Sequence, residues 1–393
     1  MSPDSTVLWT QTKNGSGNGD DYVYAITIDR STSGASNPSA VNIYVTGSTA
    51  TSNGDDCTTI KITNSGTISW TATYNGSANS TDIGRDIIVD ASGNVYVTGE
   101  CTNTGAGKDM LTIKYNSSGT QQWTATLNKI NFDEAGNAMC FDGSGNIIVG
   151  GYKSASSTNK DAMTVKYTTS GTRSWDASYA GTSNLHDWAN DVTVNGDDVY
   201  ITGKTTSSTS AGNYLTVKYN SSGTQQWAAT YDGAPRDEDE SFSIVYSASN
   251  IYITGKSKGT TSSVTTYDYA TIKYNTSGTA QWTVRYNGAS NGDDIAGKII
   301  VDFKGDLIVT GTSVDATSGT DYYTICYNTS GTSQWALRYA NPSYNGSDYA
   351  TGIASDVYGN IYVTGTSAYS STYNKFCTVK YTDNTRSHLK IKH

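Results

Sequence analysis

The feature that most constrains this chain is a tryptophan that keeps returning. Trp9, Trp70, Trp123, Trp175, Trp227, Trp282 and Trp335 stand 52 to 61 residues apart, each a few residues after a Gly/Ser-Thr turn. Such intervals are too long for the common helical repeats and suit units of four strands. The stretch from Asn94 to Leu127, NVYVTGECTNTGAGKDMLTIKYNSSGTQQWTATL, shows the unit clearly. It holds three short alternating runs bounded by turn residues, the pattern of strands rather than helices.

Each unit has the same grammar. A short apolar strand a, such as Ile87-Ile88-Val89, runs into an Asp-x-x-Gly-Asn turn, where Asp accepts backbone N–H groups and Gly takes positive φ. Strand b is Val95-Tyr96-Val97-Thr98-Gly99, echoed from Ile43 and from Ile361. A longer loop leads to strand c, Leu111-Thr112-Ile113-Lys114-Tyr115. The turn Asn116-Ser117-Ser118-Gly119-Thr120 then fits a hairpin loop closed by a left-handed Gly, and strand d carries the Trp.

The ends decide the architecture. The seventh unit has strand a near Ile353, strand b at Ile361 and strand c at Cys377–Tyr381, but no Trp-bearing strand d. The chain begins with that piece, because Thr6-Val7-Leu8-Trp9 matches Thr120-Gln121-Gln122-Trp123. The expectation is an all-β fold: a seven-bladed β-propeller of four-stranded antiparallel blades, closed by the N-terminal strand pairing into the last blade. Closure removes the open sheet edge that invites aggregation. Length alone suggests two or three domains, but the repeats place residues 1–383 in one, with blade seven made of 1–15 plus 348–383 and a tail at 384–393.

The Gly-Asn-x-Tyr-Val-Thr-Gly core, the Thr-Ile-Lys-Tyr-Asn strand and the Gly-Thr-x-x-Trp segment resemble the SBBP-type bacterial β-propeller repeat, from Thr6 to about Tyr381. The resemblance implies a bacterial secreted or surface-exposed module and supplies no catalytic residues to carry over. Blade three departs with Val149-Gly150-Gly151, and blade six with Cys326 where others have Lys.

Composition excludes several function classes. With 35 acidic against 26 basic residues, a net charge of −9 and no Lys/Arg cluster, neither nucleic acid nor an anionic membrane surface is a partner. No apolar run is long enough to insert in a bilayer. No signal peptide precedes Ser2, and Met1-Ser2-Pro3 reads as a start cut from a longer precursor. Three His leave little material for His-based metal or acid–base sites, and no GxSxG, Cys/His pairing, phosphate loop or cofactor motif occurs. Five cysteines without CxxC spacing define neither a disulfide framework nor a zinc site. A monomeric, non-enzymatic protein is expected.

Candidate sites fall on the face formed by the b–c and d–a loops, which differ from blade to blade, whereas the a–b and c–d turns are short and uniform. Counting back from strand a, a carboxylate recurs at one register: Asp21, Asp82, Glu134, Asp187, Glu238, Asp294 and Asp348. Hard oxygens of this kind suit Ca²⁺. Alternatively, each acid accepts backbone or Thr hydroxyl bonds within its own blade and fixes the d–a connection. Bare carboxylates about 10 Å apart would repel by roughly 1.5 kcal/mol per pair at an effective ε near 20, so a dry unpaired set is excluded. Only Arg85 and Lys298 lie close enough along strand a to neutralise it.

A second column opens strand c with Asp56, Asp109, Asp161, Asn213, Asp268 and Asp321, followed five residues later by Lys61 and its copies, which suggests ion pairs or hydrogen bonds between blades. The residues that break the repeat are the candidates for ligand binding. They are His186-Asp187-Trp188, holding the one Trp outside the strand-d column, and Arg236, Asp237 and Glu238 in the acidic loop of blade five. An exposed Trp among polar groups stacks on a sugar or clamps a peptide, or else plugs the channel end or packs between blades. The sequence therefore points to an extracellular scaffold or recognition module for a protein or glycan, with Ca²⁺ at most as a cofactor. The alternatives are a sugar-binding lectin and a carboxylate-based glycoside hydrolase.

Overall fold

The structure, a computed structural model, describes residues 11–17, 19–29, 41–105, 107–128, 132–156, 159–183, 185–235, 237–261, 264–317, 319–342, 344–356, 359–370, 374–382 and 390–392. These form seven four-stranded antiparallel sheets, each built from four strands consecutive in the chain, and no helix occurs among them. This is the all-β, seven-bladed organisation of a β-propeller. The chain divides into two compact units, one of residues 6–199 with 220–224 and one of 1–5, 200–219 and 225–393.

Within each unit the repeat interlocks neighbouring sheets. In the first unit the Trp70 ring lies between Tyr44 of its own sheet and Tyr115 of the next, with ring centroids 6.2 and 6.1 Å away. Trp123 does the same between Tyr96 and Tyr167. In the second unit Trp227 sits between Tyr200 and Tyr274. Each indole N–H also donates to a carbonyl in the c–d turn of the following sheet: Trp70 to Ser117 O at 3.1 Å, Trp123 to Thr169 O at 3.1 Å, Trp282 to Thr329 O at 3.2 Å. The turn can come this close because its Gly carries no Cβ. Gly119, at φ +83°, lies beneath the Trp70 ring. One motif thus makes both the hairpin and the joint.

Of the two links expected between blades, three lysines make the hydrogen bond: Lys61, Lys114 and Lys273 reach over the strand-b tyrosines of their own sheets and donate to carbonyls in the next c–d turn. Two of the acids find arginines on strand d of their own sheets, Asp268 with Arg285 at 2.8 Å and Asp321 with Arg338. Arginine on the adjacent strand is nearer than lysine five residues along, which projects from the far end of strand c.

The seventh sheet departs from expectation in its fourth strand. Lys390–Lys392, from the segment expected to be a tail, pairs antiparallel with Asn374–Thr382. Its Lys-Ile-Lys alternation is short, but an unpaired strand edge needs only backbone groups to fill it. Thr6–Trp9 lies outside the described residues. All five cysteines are free thiols, and Cys57 and Cys101 are buried in one apolar cluster rather than bonded.

Candidate functional site

The acid column holds the ends of each sheet together. Asp82 is fully buried; it accepts the N–H of Gly76, in the d–a connection, at 2.7 Å and that of Thr102, the last residue of strand b, at 2.8 Å. Asp21 accepts from Gly15 and Ala50, Asp348 from Asn341 and Ala368, Asp187 from Gly181 and Asp294 from Gly288. Burial raises the pKa of Asp82 and Asp294, and the backbone donors pull it back. Glu134 occupies the corresponding buried position in sheet three. Among the described residues no three His, Cys, Asp or Glu side chains gather as a metal-holding group.

In sheet five the register is one residue off from that read in the sequence. Asp239, not Glu238, is fully buried and accepts from Gly233 at 2.7 Å and Lys258 at 2.9 Å. Glu238 turns the other way and takes Lys204 at 2.9 Å, Lys256 at 3.2 Å and the Tyr267 hydroxyl at 2.5 Å. The Tyr267 bond foremost, with the two ammonium groups, holds its pKa down to about 2. Asp237 beside it is half-buried, and Arg236 lies outside the described residues.

The other candidate loop opens into cavities within the first unit. Four strands of this unit, Tyr22–Ile28, Ile83–Val89, Glu134–Phe141 and Asp187–Asn195, each the first of its sheet, pack side by side. Their exposed faces, with Tyr152 and Lys160 from sheet three, line a cavity of about 460 Å³. Trp188 and Tyr24 contribute rings, Arg85 and Lys160 positive charge, Asn137 and Asn190 amides. A second cavity, about 250 Å³, shares Lys160 and includes exposed His186 and Asp133. His186 and Trp188 therefore serve adjoining spaces, while Asp187 between them is spent on Gly181.

A β-bulge supplies the aim. In the first strand of sheets one, two and three the pairing register slips at Tyr24, Arg85 and Asn137, each three residues after the acid of the column. A bulge turns one extra side chain out of the alternation, and bulges recur beside binding sites for that reason. Asn190 holds the same place after Asp187. Arg85 is fixed in turn: its guanidinium meets buried Glu100 at 2.8 Å, and Lys108 meets the other Glu100 oxygen at 2.6 Å. Burial alone would raise the Glu100 pKa, but Arg85 and Lys108 hold it below the ordinary value. Arg85 thus neutralises Glu100 on strand b, not the acid column. Lys160 lies 3.8 Å over the Tyr152 ring, and Asn137 is pinned by donating to Ala189 O at 2.9 Å.

Seven four-stranded antiparallel sheets carrying one interlocking motif define the molecule as a β-propeller. Residues 72–104 and 334–368 match the profile of the SBBP beta-propeller repeat, so the chain carries SBBP repeats. No curated protein matches it. Among solved structures it is similar to the β-propeller domain of the trilobed protease from Pyrococcus furiosus, which has an open velcro topology. The two are 8% identical, with a TM-score of 0.50 over 95% of this chain and 98% of that one. Weaker likenesses include Sqt1 from Chaetomium thermophilum bound to the N-terminus of ribosomal protein L10 (11% identity, 87% and 94% covered, TM-score 0.45). Another is the acylaminoacyl peptidase of Pyrococcus horikoshii (9% identity, 95% and 52% covered, TM-score 0.45). At such identities the likeness concerns the fold alone. No helix among the described residues is long and apolar enough to cross a membrane.

Proposed function

We propose that this propeller is a non-catalytic recognition module of the cell exterior whose ligand enters the cavity beside Trp188. One observation carries the reading: the residue that breaks the tryptophan repeat is also the one that, with Tyr24, gives a polar cavity of about 460 Å³ its aromatic wall. That volume falls within the roughly 300–1,000 Å³ of small-molecule sites, and its lining of rings, amides and two cations is the mixture that orients a polar ligand. The position lies at the end of the strands nearest the d–a and b–c connections, where the sequence varies from sheet to sheet.

A glycan suits this wall better than a broad protein face, since a concave space of this size seats a ring or two rather than a flat patch. The hydrolase alternative finds no support here. A glycosidase needs two carboxylates facing one bond, and none lines the larger cavity. The test is a glycan and peptide array read with the wild-type protein and with Trp188→Ala, after thermal melts show that the variant folds. Discrete ligands lost in Trp188→Ala are expected. Ligands retained by the variant, or turnover of any glycoside on the array, would overturn the reading.

A further inference from the structure

The charge of the cavity runs against the charge of the chain. Acidic residues outnumber basic ones 35 to 26, yet the lining of the larger cavity holds Arg85 and Lys160 and no carboxylate. The carboxylates that neutralise elsewhere are turned away from it. Glu100 is buried behind Arg85, 1% exposed, and binds it from strand b, while Lys108 takes the second oxygen of the same carboxylate. Two cations share one buried anion, so the trio keeps a net positive charge, and Lys160 adds another. The Arg85 Nε, moreover, is buried and has no hydrogen-bond partner among the described residues.

The cations are also held in place. Arg85 is clamped by Glu100 at a bulge, and Lys160 is seated over the Tyr152 ring. Fixed guanidinium and ammonium groups beside an aromatic wall select a planar anion joined to a stackable body, because the fork of an arginine matches a carboxylate in two places. The aromatic rings and the two asparagines then meet the rest of the ligand: rings take the apolar face of a sugar, amides exchange hydrogen bonds with its hydroxyls. Lys160 also borders the second cavity, where Asp133 and His186 join it in the lining.

We infer that the ligand of this site is an acidic saccharide, an oligosaccharide of uronic acids whose carboxylate meets Arg85 and Lys160 while its ring stacks on Trp188. This rests on the recognition-module reading and sharpens it to a ligand class.

The experiment is titration calorimetry of the whole chain in low salt with trigalacturonate, with the neutral galactotriose of matching length, and with sodium sulfate. Trigalacturonate is expected to bind, the neutral sugar at least about tenfold more weakly, and sulfate alone without the Trp188 dependence. Lys160→Met and Arg85→Lys should each weaken trigalacturonate by about tenfold or more, because one removes a charge and the other the planar fork. Arg85→Lys keeps a cation beside Glu100, and Lys160→Met touches a side chain outside the Glu100 cluster, so a folded variant is available even if one fails. Binding of the acidic sugar should also fall as salt rises, as a charge-assisted contact requires. If the neutral sugar binds equally well and both variants are silent, acid selectivity is wrong while a Trp188-dependent glycan site survives. If no saccharide binds, the inference fails, and the array decides the broader reading separately. Sulfate binding that matches trigalacturonate and ignores Trp188→Ala would reduce the site to an unspecific anion patch and overturn the inference.

Discussion

The Trp70 indole rests on Gly119 of the following sheet so closely that a methyl group there would come within 2.6 Å of ring atom Cδ2. The same approach recurs at Gly171 under Trp123 and at Gly278 under Trp227. Two demands meet at this glycine, a backbone at φ +83° and a bare Cα for the neighbour's ring. Gly119→Ala meets both penalties at once. A left-handed alanine costs about 1–2 kcal/mol, and the displaced ring loses packing on top of that. Chemical denaturation should show a loss of about 2–4 kcal/mol. A fall of under about 0.5 kcal/mol, the range of an ordinary surface substitution, would mean that the joint is slack.

This joint explains why the fold was readable. Gly-Thr-x-x-Trp, the tyrosines of strands b and c, and the alternation between them each serve contacts made in every sheet, so the same residues recur wherever the contact does. The acid column was readable for the same reason, down to its register in most sheets. It slipped in sheet five because Asp237-Glu238-Asp239-Glu240 offers a carboxylate at every position, and only the direction of the strand decides which one faces Gly233 N. The cavity was less legible. Trp188 stood out as a break in the pattern, but Tyr24, Arg85 and Asn137 owe their aim to bulges, which composition does not mark. Their signal was a column three residues after the acid that reads Tyr, Arg, Asn, Asn, a polar or aromatic side chain in each sheet.

The buried acids should behave as structural ties. In Asp82→Ala the N–H groups of Gly76 and Thr102 lose their acceptor in a dry setting, at about 1–3 kcal/mol each. A total loss of about 2–5 kcal/mol is expected, with Asp82→Asn milder because one amide oxygen still accepts. Melting curves of the two variants with and without added Ca²⁺ check it. Full recovery of Asp82→Asn by a cation would contradict a purely hydrogen-bonding role.

Glu238 should give the second unit an acid-sensitive component. Its folded pKa is near 2 against 4.5 for the free group, so the unfolded chain takes up the proton first as pH falls. The stabilisation is therefore complete above about pH 4.5 and disappears as pH drops toward 2. At neutral pH Glu238→Gln should be less stable than wild type by about 1 kcal/mol, a figure kept small because water screens this partly exposed cluster. That gap should close by pH 2 to 3. A gap that stays constant from pH 6 to pH 2.5 in parallel melts would show that charge at Glu238 contributes nothing.

Lysines at one repeat position should differ sharply in weight. In sheets one, two and seven the acid that opens the a–b turn is capped by the strand-b tyrosine, as Tyr44 caps Asp29, Tyr96 caps Asp90 and Tyr362 caps Asp356. Sheet three has Ile148 where that tyrosine would stand, and Lys166 reaches across to Asp142 at 2.5 Å instead. Both side chains of that pair are buried, 9% and 0% exposed. Removing one partner of a buried pair costs about 3–5 kcal/mol, because the other charge is left in a poor solvent. Lys166→Met should approach that range. Lys114→Met in sheet two gives up one exposed bond to the Thr169 carbonyl and a contact with Tyr96, for about 1 kcal/mol or less. Restoring the missing hydroxyl with Ile148→Tyr in the Lys166→Met background should recover part of the loss, since a phenol can again donate to Asp142. Equal stabilities for the two lysine variants would mean that Asp142 finds water in place of Lys166 and that the swap of tyrosine for lysine has no energetic content.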